Sequence, residues 1–127
     1  DERAEAYNSL AGAHASNKKY AYAVEFGLKA ANTYQRSGHR NKYAEAIFNL
    51  SNYHFLDGNS SKALSLLETL ERFAKDNGSR YYQAKALFEK SLLFRKLNKE
   101  ADADISLKSA ITISTEIGAT DLITSYK

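Results

Sequence analysis

The stretch Ala44–Gly78, AEAIFNLSNYHFLDGNSSKALSLLETLERFAKDNG, holds two runs of helical periodicity with a turn between them. In the first run Ala46, Ile47, Leu50, Tyr53 and His54 recur at three- and four-residue intervals, and Ala63, Leu64, Leu66, Leu67, Leu70 and Phe73 do so again in the second. Asp57-Gly58-Asn59-Ser60-Ser61 supplies the turn and offers a serine as N-cap, while Gly78 suits the left-handed residue that ends a helix. The stretch therefore predicts a pair of antiparallel helices.

The same pair is written three times. Gly38, Gly78 and Gly118 are evenly spaced, and their offset also aligns Ala4, Ala44 and Ala84; Ala6, Ala46 and Ala86; and Ala23, Ala63 and Ala103. Looser columns agree: Tyr7, Ile47 and Leu87 are large, Ala11, Ser51 and Ser91 are small, and His14, His54 and Phe94 are flat rings. Repeats of about 1–38, 41–78 and 81–118 follow, with helices expected at 4–16 and 20–37, 42–56 and 60–77, and 81–97 and 100–117. Residues 119–127 read as a short capping helix started by Thr120 or Asp121, whose Leu122, Ile123 and Tyr126 cover the end of the third copy. One such pair cannot bury its apolar face alone, and stacked pairs make a continuous core with alanines at the close approaches. The expected fold is all-α, an α-solenoid of three antiparallel helix pairs plus a short C-terminal capping helix, in one domain over 1–127.

Composition narrows the function. The 127 residues are 43% hydrophobic and 26% charged, which describes a folded chain, and no run of about 20 apolar residues is present to form a membrane span. Eighteen Lys and Arg against fifteen Asp and Glu leave a formal charge of +3, too small an excess to call for nucleic acid. The tightest basic group, Arg95, Lys96 and Lys99, meets Glu100, Asp102 and Asp104 at once and reads as a solvated helix end. Without cysteine there are no disulfides, thiolate metal sites or thiol nucleophiles, and cytosol and periplasm both stay open. A chain without methionine that opens on Asp1-Glu2 and stops inside a repeat is expected to be a piece of a larger protein.

Catalytic patterns are not legible. His14 and His54 share a repeat column and so lie about a helix-pair width apart, which makes them packed rings rather than a metal pair. His39 follows Gly38 in a linker and is expected to face solvent. Asp102 and Asp104, two apart on a helix, face different ways. With no phosphate loop, zinc helix or nucleophile elbow, neither enzymatic activity nor a cofactor or metal is expected.

Tyr7, Leu10, Ala11 and His14 followed by Tyr20, Ala23 and Ala30, then Ile47, Leu50, Ser51 and His54 followed by Ala63, Leu67 and Leu70, resemble the tetratricopeptide repeat. The third copy continues the likeness with Leu87, Ser91 and Phe94, then Ala103, Leu107 and Ala110. It departs from the family at Lys90, where a leucine is usual, at Gly27, where a bulky residue is usual, in the absence of proline, and in a period of 40 against about 34. Long repeats of this kind are similar to those of bacterial regulators and some scaffold proteins.

The resemblance implies that the first helix of each pair lines a concave groove for a protein or peptide segment. It would place Asn8 in that groove from the first copy, with Glu5, Gly12 and Ala15 beside it. The second copy would contribute Phe48, Asn49, Asn52 and Phe55 with Glu45, and the third Lys85, Phe88, Leu92, Arg95 and Lys96 with Glu89. Of the carboxylate clamp that some members use for chaperone tails, only Asn49 and Lys85 match, and Glu89 would repel the carboxylate. The expected function is a protein- or peptide-binding scaffold. Two alternatives stand beside it: a sensory input module of a larger bacterial signalling protein, and self-association as a homo-oligomer.

Overall fold

In the computed structural model, residues 2–126 are described. Seven helices occupy them: α1 (Glu2–Ser16), α2 (Tyr20–Ser37), α3 (Arg40–Leu56), α4 (Ser60–Asp76), α5 (Arg80–Lys96), α6 (Glu100–Glu116) and α7 (Thr120–Ser125). The fold is all-α, a repeat of packed helix pairs ending in the short α7. The predicted boundaries hold to within two residues at most ends.

Every turn has one design. The residues at 18, 38, 58, 78, 98 and 118 are all left-handed, Gly38, Gly58, Gly78 and Gly118 among them, with Lys18 at φ 60° and Asn98 at φ 62°. One residue later a backbone N–H reaches back to close the preceding helix: Lys19 to His14 (2.8 Å), His39 to Tyr34 (3.1 Å), Asn59 to His54 (2.8 Å), Ser79 to Ala74 (2.8 Å), Lys99 to Phe94 (2.8 Å) and Ala119 to Ser114 (2.9 Å). This is the six-to-one bond of the Schellman ending, which satisfies a carbonyl that the helix itself leaves open. The carbonyls of Lys19, His39, Asn59, Ser79 and Lys99 then accept the first bond of the next helix. The structural period is thus half the sequence repeat, because both turns of each copy use the same ending.

Side-chain caps play a small part. Ser60 and Ser61 do not cap α4 as expected; the cap is Asn59, whose Oδ1 accepts from the Lys62 N–H at 3.2 Å. Asparagine wins because the turn's last residue, not the first helical one, occupies the N-cap position. Neither Thr120 nor Asp121 caps α7, since Ala119 stands at that position and no side-chain cap bond forms.

Packing divides the chain into two compact units, Asp1–Leu66 and Leu67–Lys127, the division falling inside α4 rather than between copies. In the first unit α2 packs against both α1 and α3. Tyr53 of α3 clusters with Ala11 and Ala23, and a Cβ on Gly27 would come within 3.2 Å of Leu50 and 3.3 Å of Tyr53. Gly27 stands where the resemblance leads one to expect a bulky residue, and any side chain there would make the Leu50 and Tyr53 side chains of α3 give way. In the second unit α5 packs on α6, and Ala84, Leu87, Phe88, Ala110 and Ile113 form a core closed by Leu122 of α7, with Ile123 and Tyr126 against it. Those three residues cover the third copy as the sequence predicts. Tyr126 continues the column of Ala6, Ala46 and Ala86, so the end of the chain puts a phenol where each full copy has a methyl group.

The small column needs no cavity for its hydroxyls. Ser51 and Ser91 are buried, and each donates to the carbonyl three residues back, Phe48 at 2.7 Å and Phe88 at 2.6 Å. Ser114 is different: its Oγ is buried with no hydrogen-bond partner among the described residues.

Candidate functional site

In the first unit the predicted groove residues occupy one outward stripe of α3. The buried side of that helix is Tyr43, Ala44, Ala46, Ile47, Leu50, Ser51 and Tyr53. Glu45, Phe48, Asn49, Asn52 and Phe55 fall between, at spacings of three and four, with Asn52 exposed and Phe48, Asn49 and Phe55 half-buried. Asn8 on α1 is half-buried as well.

The acidic end of this region is set by two carboxylates in the same repeat column. Tyr34 of α2 is buried, and its phenol is raised above the ordinary tyrosine value, first by burial and then by the charges of Glu5 and Glu45. The negative field of α1 and α3 therefore converges on one side of α2. The third copy carries Lys85 in that column, half-buried, with its Nζ 6.0 Å from the Tyr81 ring.

In the second unit the stripe on α5 departs from the expectation at Phe88, and the exposed Arg95 on it faces carboxylates. Phe88 is 1% exposed, and the Tyr126 ring lies parallel to it with centroids 4.7 Å apart. The Tyr126 hydroxyl also donates to Glu89 at 2.6 Å, and the phenol is pushed well above its ordinary range by burial and by that carboxylate. Phe88 is core, covered by α7, and offers no open pocket. Arg95 faces Glu100 at 3.6 Å and Asp104 at 3.8 Å, so its charge is met across the α5–α6 turn. That agrees with the basic group being a solvated helix end. Leu92 and Lys96 remain exposed.

The histidines are placed by packing. His14 stacks on Phe26, with centroids 5.5 Å apart and planes at 10°, and tilts against Tyr22 at 5.2 Å. Lys29 holds its Nζ 5.2 Å from the Phe26 ring and 5.8 Å from Tyr7, extending an aromatic run along α1 and α2. His54 is half-buried, and burial, with a smaller contribution from Lys62, lowers its affinity for a proton. His39 is exposed and has Nδ1 2.8 Å from the Ser37 hydroxyl.

Three polar pairs lie outside the sequence reading, Arg80 with Glu116 among them. Lys90 Nζ lies 3.0 Å from Glu71 Oε1, both side chains largely removed from solvent, and Tyr126 bonds to Glu89. The sequence signal for the Lys90 pair is the lysine itself, the one break in the leucine column, for which α4 supplies the countercharge. No protein-family model matches this chain, and no curated protein is detectably similar to it. Among the described residues no helix is long and apolar enough to cross a membrane.

Proposed function

We propose that this chain is a binding module of the tetratricopeptide-like kind that takes a protein or peptide segment along the outward stripe of α3, with no catalysis of its own. The observation that carries the reading is the stripe itself: Asn49 and Asn52 between the half-buried rings of Phe48 and Phe55. Each asparagine amide offers two donors and an acceptor, which suits the main chain of a bound segment whatever its sequence. The phenylalanine edges supply apolar contact on either side, each worth on the order of 1 kcal/mol when covered. Glu5 and Glu45 at one end favour a segment that carries a basic group there.

On α5 the corresponding contributors are Lys85, Leu92 and Lys96. Phe88 drops out under Tyr126, while Arg95 is exposed and shares its charge with Glu100 and Asp104. Selection of binders from a displayed library of short unstructured peptides tests the reading. Selected peptides should shift the backbone amide signals of residues 45–56 and share a basic residue. Peptides that perturb only other helices would contradict it.

A further inference from the structure

In the second unit a cleft of about 380 Å³ opens beside α4, α5 and α6. Gln83 lines it at the position where the second copy has the buried Tyr43. Glu71 lines it where the first copy has the buried Ala31. Lys90, where the other copies have Leu10 and Leu50, holds Glu71 by its 3.0 Å contact. Only the lysine breaks a regular column: Gln83 stands where the other copies have Arg3 and Tyr43, and Glu71 where they have Ala31 and Ile111, so the cleft has an amide in place of the second copy's ring and a carboxylate held by Lys90.

The walls carry both signs of charge over an apolar floor. Arg80 and Lys108 are cationic, Glu71 and Glu116 anionic, and Leu87 and Ile113, 7% and 8% exposed, form the base. Arg80 and Glu116 pair with each other, which ties the start of α5 to the end of α6. Thr112 commits its hydroxyl to the Lys108 carbonyl at 2.9 Å. The Gln83 amide and the Ser109 hydroxyl add uncharged donors and acceptors to the wall.

We propose that this cleft is a binding site for a small zwitterion with an apolar side chain, a free dipeptide being the best fit. A volume of about 380 Å³ is near the lower end of the ~300–1,000 Å³ usual for small-molecule sites, which suits a ligand of that size. The carboxylate of the ligand meets Lys108 and Arg80, its ammonium meets Glu71 and Glu116, and its side chain lies on Leu87 and Ile113. Because Glu71 is already held by Lys90, little ordering is needed when the ammonium arrives. The site lies wholly within the second unit and does not depend on the α3 reading.

The test is a titration of the whole chain with L-alanyl-L-leucine, followed by backbone amide shifts. Its N-acetylated and C-amidated forms, each lacking one charge, are run alongside. The expected result is a saturable shift at Gln83, Lys108, Ser109 and Thr112 with a Kd of about 1 mM or tighter. Either capped form should bind at least about tenfold more weakly, a loss of one charge contact. Gln83→Tyr, which restores the residue of the second copy, should abolish the shift. Lys108→Ala, at an exposed position that cannot compromise the core, should weaken it about tenfold. No saturable shift at those amides, equal binding of the capped dipeptides, or full binding by Lys108→Ala would each overturn the proposal.

Discussion

Lys90 of α5 sits in a leucine column yet points its Nζ at Glu71 of α4, 3.0 Å away, with the Phe94 ring 5.9 Å from the same nitrogen. The stem of the lysine covers apolar surface as a leucine would, and its head is neutralised from the neighbouring helix. Because the lysine is mostly shielded while the glutamate is more open, the pair lies between a surface and a core ion pair. A double-mutant cycle with Lys90→Met and Glu71→Gln should give a coupling of about 1 kcal/mol in urea melts. The same cycle at Arg80 and Glu116, both about half exposed, should give less than about 0.5 kcal/mol.

Lys18 holds a left-handed backbone where the second copy has Gly58. A side chain in that conformation costs roughly 1 kcal/mol relative to glycine. Lys18→Gly should therefore raise the unfolding midpoint by an amount matching about 1 kcal/mol, and Asn98→Gly by less, since asparagine tolerates the conformation better. Denaturant titration of both variants measures it, and an equal or lower midpoint for Lys18→Gly would count against the shared turn geometry.

Ser114 is wholly buried at the end of α6, its Oγ without a partner among the described residues, and the second copy places Ala74 in that column. Removing a buried, unpaired hydroxyl relieves a desolvation cost of about 1–3 kcal/mol, less the small loss of packing. Ser114→Ala should be more stable than the parent chain by about 1 kcal/mol. Ser91→Ala, which removes a hydroxyl that donates to Phe88, should not be.

The fold is legible because its signal is repetition: alanine columns, ring columns and glycines at 38, 78 and 118 state the helix pairs without reference to any partner. The identical turns at 18, 58 and 98 are harder to see, since Lys18 and Asn98 disguise a conformation that only Gly58 advertises. Of the candidate groove residues, those of α3 lie on one outward stripe as read, and those of α5 do so except Phe88. Phe88 reads as a groove residue because nothing local to it reveals that Tyr126, beyond both α6 and the next turn, lies across its ring. Arg95 reads as a groove cation, yet Asp104, one turn into the following helix, faces it.

His54 introduces a pH dependence. Its proton affinity is lower in the folded chain than the ordinary value of about 6.5, through burial first and the Lys62 charge second, with Asp57 opposing. Above that value both folded and unfolded chains keep the ring neutral, and His54 has no effect on stability. As the pH falls below about 6.5 the unfolded chain takes up the proton more readily, so stability declines. Replacing it with the ring of the third copy, His54→Phe, should flatten the stability profile between about pH 7 and pH 5 relative to the parent. An unchanged slope would show that His54 is not the group responsible.

Binding of a peptide segment along the α3 stripe is measured by calorimetry with a display-selected peptide. Asn52 is exposed, so Asn52→Ala leaves the core intact while removing a main-chain contact, and Phe55→Ala removes an apolar one. Each should raise the Kd by about fivefold to tenfold, corresponding to roughly 1–1.4 kcal/mol, with unfolding midpoints recorded in parallel. An Asn52→Ala chain that stays folded and binds the peptide with the affinity of the parent would contradict the account.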